Sequence, residues 1–424
     1  MNRKQFWALL SVSLLSVLLL SGCQAMSLFQ KNIDASPAPT SVPLPTAAPT
    51  ETAQPPEPTP TQAATEASEK EAVTPTRVVP PQETIQLPPG FGISVFAEGL
   101  AGPRMMTVGP DEQLYVAERA AGRIIRLPDR DGDGVADGVE VVAEGLDAPS
   151  SIAFYQDGSL YVGETTRILR LSDPDGDGVF QERETIIEGL PEGGHNTRTV
   201  LFSPDWRYLY VSVGSSCNVC DEADARRATI VRYLPDGSDE QIYARGLRNA
   251  VGIVFRPGTE ELWATNNGRD WLGDDQPPEA IYVVEQGDDA GWPRCHAGRI
   301  IDPEFGEEGA CEGVLDPVVE MQAHSAPLGL KFYTGERFPD EWNDLFVAFH
   351  GSWNRSTPTG YKVIHIPVDE NGQPGSPQDF AAGWLRQDGS QWGRPVDVQT
   401  SPEGGLFVSD DGAGFIYRIF YTGE

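Results

Sequence analysis

The chain has 424 residues, with 63 Asp and Glu against 31 Lys and Arg, for a formal net charge of −32. A chain this acidic is repelled by nucleic acid and by anionic membrane surfaces, which excludes both as partners. The balance suits a secreted, soluble domain, including one that binds calcium.

The chain opens on Asn2-Arg3-Lys4, continues through an apolar run from Phe6 to Leu20, and closes that run with Leu20-Ser-Gly-Cys23. The run is too short for a comfortable membrane span and reads as a secretory signal over residues 1–22. Leu-Ser-Gly-Cys resembles the bacterial lipobox. That implies a lipid-modified Cys23 as the only membrane attachment, with the folded part exported to the extracytoplasmic side of the cell envelope; the alternative is an ordinary signal with an incidental cysteine. Residues 23–86 are rich in Pro, Thr, Ala, Ser and Glu and show no apolar periodicity. They predict a disordered tether that holds the domain away from the envelope.

From residue 87 to residue 424 the sequence repeats. A Gly-Leu turn, a few polar or proline residues and a short apolar strand recur at Gly99-Leu100, Gly145-Leu146, Gly189-Leu190 and Gly246-Leu247, with degenerate copies at Gln322–Phe332 and Gln391–Val398. A short aromatic-rich strand follows each copy: Leu114–Glu118, Leu160–Glu164, Leu209–Val213, Leu262–Asn266, Leu345–Phe349 and Leu406–Asp410. A third strand closes most units, at Arg123–Leu127, Arg167–Leu171, Thr229–Tyr233, Tyr361–Ile366 and Phe415–Ile419. The strands are β-branched and aromatic, and Gly, Pro, Asp and Asn bound them. Six copies of one multi-strand unit predict an all-β six-bladed β-propeller.

Four cysteines remain after Cys23. Cys295 with Cys311 suits a loop staple, and Cys217-Asn-Val-Cys220 suits a small closed loop or a thiol pair; structural disulfides are the favoured reading in an exported chain. Two acidic turns place carboxylates at alternate positions with intervening glycines: Asp129, Asp131, Asp133 and Asp137 in one, and Asp173, Asp175 and Asp177 in the other. Each can wrap a hard cation with oxygen ligands, or can simply be a solvated turn.

In a propeller the innermost strand opens each blade, so the turns leading into the six inner strands ring one mouth of the axial channel. That brings together Arg104, the Asp147–Ser151 turn, His195 with Asn196, Arg248 with Asn249, His324, and Arg394. Guanidinium groups gathered in so acidic a chain suit a polyanionic ligand.

The motifs Gly194-His195-Asn196-Thr-Arg198, Gly246-Leu-Arg248-Asn249, Asn266-Asn267-Gly268-Arg269-Asp270, Gly287-Asp-Asp-Ala-Gly-Trp292-Pro293, Ala326-Pro327-Leu-Gly-Leu330 and Arg394-Pro-Val-Asp397 fall in order along the six units. Together they resemble the soluble pyrroloquinoline quinone (PQQ)-dependent sugar dehydrogenases, the glucose and sorbosone dehydrogenase family, over residues 87–424. The resemblance implies hydride transfer from a sugar or related alcohol or aldehyde to PQQ, and an external electron acceptor. It implies His195 as general base and Arg248 as a group that stabilises charge on the quinone. It implies cofactor contacts from Arg248, Asn249, Asn267 and Arg394, with Arg355 standing in for the family's lysine and His324 where the family has a small hydroxyl residue. It also implies a calcium ion held by the carbonyls of Gly268 and Arg269. The chain departs from the glucose enzymes at Gly194, where they carry an Asp before the base. Two other readings stand beside it. One is a metal-dependent propeller lactonase, using Glu118, Glu164, Asn266 and Asp410; the other is a propeller that only binds a glycan or a protein.

Overall fold

A computed structural model describes residues 85–423. The signal segment 1–22, Cys23 and nearly all of the tether lie outside the described residues. Among the described residues, no helix is long and apolar enough to cross a membrane.

Six antiparallel sheets of four strands form the body of the domain. In the first blade the strands run Pro103–Val108, Leu114–Glu118, Arg123–Leu127 and Glu140–Glu144, in sequence order from the inside out. The inner strands of neighbouring blades touch one another, as at Pro103–Val108 against Ser151–Phe154 and Pro327–Phe332 against Pro395–Thr400. This is the expected six-bladed propeller. The aromatic-rich second strands are buried at nearly every position because they lie between two strands of their own sheet and against the next blade.

Each blade also has a fourth strand with no recurring sequence signal. These outermost strands are half wet, and in Glu182–Ile187 the first four side chains face solvent. The third strand of the fourth blade is Glu279–Val284. Its fourth strand, Val319–Met321, comes only after an insertion that carries the Cys295–Cys311 disulfide. Cys217 and Cys220 form the second disulfide.

The ring is closed by the two ends of the domain. Phe91–Ala97 is the outermost strand of the sixth blade and pairs antiparallel with Phe415–Tyr421. Phe96 is 2% exposed and its ring lies 4.6 Å from that of Phe407. The core fills the gaps between blades, and a separate small plug of Met105, Val251, Leu328 and Val396 sits where the inner strands converge.

Trimming a buried phenylalanine from a close-packed core costs about 3–5 kcal/mol. Phe96→Ala should therefore lower the unfolding free energy by that amount in chemical denaturation; a loss below about 1 kcal/mol would contradict the closing role of the first strand.

Candidate functional site

One hydrogen bond recurs and places the turns. The residue that ends the second strand of a blade accepts the backbone N–H of the turn that opens the same blade. Glu118 accepts from Ala101 at 2.6 Å, Glu164 from Asp147 at 2.7 Å, Asn266 from Asn249 at 3.1 Å and Asp410 from Arg394 at 2.7 Å. Glu118, Glu164 and Asp410 are fully buried, so each satisfies a turn that would otherwise leave a donor unpaired. The four candidate lactonase ligands thus serve as caps, and none of them lines the cavity that the turns enclose.

The turns enclose a cavity of about 230 Å³ above the apolar plug, lined by three arginines (Arg104, Arg248, Arg394) and three histidines (His195, His324, His350). Asn249, Asn267, Asp270 and Glu279 also line it, with Trp353 at the edge. Trp271 and Trp353 are 66% and 69% exposed and meet edge to face at 6.0 Å.

His195 is held from three sides. Its N–H donates to the Ser215 carbonyl at 2.9 Å, and the Ser215 N–H donates to the Arg248 carbonyl at 2.8 Å, so the backbones of the third and fourth blades run together here. Two buried arginines fix the turn: Arg198 donates to the carbonyls of His195, Thr197 and Pro191, and Arg227 to those of Gly193, Gly214 and Glu192. The imidazole Nδ1 lies 2.9 Å from Ser215 Oγ and 3.2 Å from the Ser215 carbonyl. Ser215 Oγ gives its own proton to the Cys217 carbonyl at 2.7 Å. Both neighbours of Nδ1 are therefore acceptors, so Nδ1 carries the proton and the Nε2 lone pair is left free. Burial, aided by the nearby Arg248 charge, lowers the imidazole pKa to about 4.

Gly194 explains the departure from the glucose enzymes. Its φ is +58°, and a Cβ there would meet the Ser215 carbonyl oxygen, Ser216 Cα and the Ser216 carbonyl oxygen, each at 2.5 Å. No aspartate fits, and Ser215 supplies the orienting contact to His195 instead.

The arginines differ in their partners. Arg248 is 4% exposed and pairs with Asp270 at 3.0 Å. Arg104 pairs with Asp411 at 2.8 Å, and Asp411 also accepts His350 Nε2–H at 2.8 Å. Burial would raise the Asp411 carboxyl, but the His350 hydrogen bond and the His350 and Arg104 charges bring it down to about 2. Arg394 donates only to carbonyls, those of His350 and Gly351, and has no carboxylate partner among the described residues. Glu279 accepts the N–H groups of Gly268 at 2.7 Å and Ala326 at 3.3 Å, and burial pushes it up to about 7.

Most of the residues expected from the sequence meet here. His195, Arg248, Asn249, Asn267, Gly268, His324 and Arg394 line the one cavity. His324, at φ +64°, donates Nε2–H to the Gly273 carbonyl at 2.8 Å. Arg355 does not line the cavity: its guanidinium donates to the Asp274 carbonyl and pairs with Asp275 at 3.0 Å. Nor does the Arg269 side chain, which pairs with Asp302 at 2.6 Å and Glu304 at 2.9 Å. The Gly268 carbonyl, expected to face calcium, accepts Arg248 Nη1–H at 2.7 Å. Asn196 is turned to Arg119, at 3.0 Å, and the Asp147–Ser151 turn contributes no lining residue. In the acidic turns, Asp129, Asp131 and Asp133 bring carboxylate oxygens within 4.8 Å of one another, as do Asp173, Asp175 and Asp177. Asp137 instead accepts the Arg130 N–H at 2.8 Å.

Sequence reasoning missed Ser215, Arg227, Asp270, Glu279 and Asp411. Ser215 and Asp411 fall just after a second strand, Arg227 just before a third and Glu279 at the start of one, and Asp270 closes the Asn266–Asp270 motif, which had given it no role.

The imidazole of His195 should titrate near pH 4 by NMR, neutral above that value and imidazolium below it. Arg248→Ala should raise the midpoint, and a wild-type midpoint near 6.5 would contradict the burial and tautomer described here.

Residues 82–416 match the family described as "Domain of unknown function (DUF7133)". An uncharacterized protein of Borreliella burgdorferi is 29% identical over 353 residues, covering 80% of this chain and 91% of its own. A pyrroloquinoline quinone-dependent sugar dehydrogenase of Hypocrea jecorina is 26% identical over 283 residues, covering 53% of this chain; the chain spans only 62% of that relative's length. The calcium structure of the Trichoderma reesei Carbohydrate-Active Enzymes Family AA12 protein overlays with a TM-score of 0.72 at 21% identity, covering 80% of this chain and 98% of that one. The likeness to the soluble PQQ-dependent sugar dehydrogenases read from the motifs is borne out in these relatives, and the chain belongs to the DUF7133 family.

Proposed function

We propose that the protein is a quinoprotein oxidoreductase that oxidises a sugar or a related alcohol or aldehyde, with His195 as general base and PQQ as cofactor. The observation that carries this reading is an imidazole with its Nε2 lone pair free, in one cavity with an arginine that has no carboxylate partner. PQQ is a flat quinone bearing carboxylates. Arg394 supplies the unpaired guanidinium for one of them, and the amides of Asn249 and Asn267 supply neutral donors beside it. The residues present therefore fit the cofactor.

When bound, PQQ supplies a hydride acceptor. The chain does the rest. His195 Nε2 takes the proton of the substrate hydroxyl, and Ser215 and the Cys217 carbonyl keep the ring in the tautomer that can do so. Arg248 fixes positive charge in a buried place, where it counts for most against growing negative charge. Asp270 offsets part of that charge. The exposed faces of Trp271 and Trp353 at the rim suit the apolar face of a sugar ring. In this reading an external acceptor takes the electrons. The Gly268 carbonyl accepts one N–H from Arg248 and keeps its second lone pair, so it and the Arg269 carbonyl are the groups that would hold calcium beside the cofactor. The three-carboxylate turns at Asp129–Asp133 and Asp173–Asp177 are further proposed calcium sites, and their role is to brace the blade edges.

His195→Ala should abolish dye reduction by aldoses while PQQ still binds; unchanged turnover would remove His195 from the mechanism. Arg394→Ala should weaken PQQ binding by about tenfold or more, the cost of losing a charge-assisted hydrogen bond. An unchanged affinity would place the cofactor elsewhere, and failure of the wild-type protein to take up PQQ would favour a propeller that only binds a glycan or a protein. Calcium added to chelator-treated protein should raise the melting temperature, and Asp131→Asn with Asp175→Asn should cancel the rise.

A further inference from the structure

Beside the cavity, Cys217-Asn218-Val219-Cys220 closes on itself through its disulfide. The contacts of this small loop run inward to the site. The Asn218 carbonyl accepts Arg248 Nε–H at 3.0 Å and Trp292 Nε1–H at 3.2 Å. The Asn218 Oδ1 accepts Arg248 Nη2–H at 3.0 Å and the Asp270 N–H at 2.7 Å, and its Nδ2–H donates to the Asp270 carbonyl at 3.1 Å. One residue earlier, the Cys217 carbonyl takes the Ser215 hydroxyl proton and so sets the donor order at His195.

A guanidinium has five N–H donors, and a buried one requires an acceptor for each. Arg248 has five acceptors: the Asn218 carbonyl, Asn218 Oδ1, the carbonyls of Asn267 and Gly268, and Asp270 Oδ2. Two of the five come from Asn218, and a third, Asp270, is itself held by Asn218. Without a cross-link, a half-exposed four-residue turn keeps backbone freedom that these hydrogen bonds alone must restrain. The disulfide removes that freedom at the one residue on which the arginine most depends.

We propose that Asn218 is the positioning residue for Arg248 and Asp270, and that the Cys217–Cys220 disulfide is what holds Asn218 in place. The redox state of this one disulfide then sets the competence of the cavity. A small dithiol reductant supplies two electrons and two protons. The S–S bond breaks to two thiols, and the reductant is left as its own disulfide. Cys217 and Cys220 are both half-exposed, whereas in the other disulfide only Cys311 is, Cys295 being fully buried, so the site loop offers a reductant either of its sulfurs.

The test uses the full chain and two readouts. One is the Arg248 Nε–H signal by NMR, assigned by its loss in Arg248→Lys. The other is PQQ affinity by equilibrium titration. Mild dithiothreitol treatment and Asn218→Ala should each shift or broaden the Arg248 signal and weaken PQQ binding by about tenfold or more. Asn218→Asp keeps the acceptor for Arg248 Nη2 and for the Asp270 N–H but loses the donor to the Asp270 carbonyl, so it should restore part of both. An Arg248 signal unmoved by both reduction and Asn218→Ala would overturn the proposal, and so would an Asn218→Asp variant as defective as Asn218→Ala. The affinity arm rests on the quinone reading. If wild-type protein takes up no PQQ, that reading falls, while the Arg248 signal still decides the role of the loop.

Discussion

The site depends on a buried side-chain acceptor at the end of a strand holding the N–H of a turn 16 or 17 residues earlier. Four blades use it, through Glu118, Glu164, Asn266 and Asp410. A buried carboxylate is costly unless its oxygens are satisfied. Glu118 and Glu164 meet that condition by also binding Arg123 and Arg167, and Asp410 by accepting Gly412, Ala413 and Tyr417. The result is a set of turns locked to their own blades and aimed at one mouth. Loops carry the chemistry, and the sheet beneath them makes their positions definite.

Charge is then distributed within that frame. The chain is strongly acidic, yet the cavity gathers three arginines. Two of them are tied to Asp411 and Asp270, which lowers the cost of burying the guanidinium groups and fixes their direction. The third, Arg394, donates only to backbone carbonyls among the described residues. His195 lines the same cavity, with one nitrogen committed to Ser215 of the third blade and one free. A base and an anion-binding cation held apart by the fold are the minimum that the proposed oxidation asks of the protein itself.

Much of this was legible in the sequence. The Leu-Tyr-Val type strands are buried on both faces and so repeat visibly, and the turns before them carry the residues that line the cavity. What escaped has physical causes. The fourth strands are only partly buried and follow no common residue pattern, as in Gln378–Ala382, which is exposed at its first two positions. The closing strand at Phe91–Ala97 pairs with residues more than three hundred positions away, as does Arg104 with Asp411. Arg355 looked like a cofactor cation because it follows the fifth blade's second strand, but the adjacent Asp274 and Asp275 draw it outward. Cys217-Asn-Val-Cys220 was legible as a closed loop, but its hold on Arg248 depends on folding that no spacing reveals.

The central claim is that PQQ lies between the free nitrogen of His195 and the guanidinium of Arg394. The most direct measurement is a crystal structure of the full chain grown with saturating PQQ. The account predicts a quinone in the axial cavity, with a carboxylate on Arg394 and its reactive face toward His195 Nε2. PQQ bound outside that cavity, or turned so that His195 cannot reach a substrate beside it, would contradict the account.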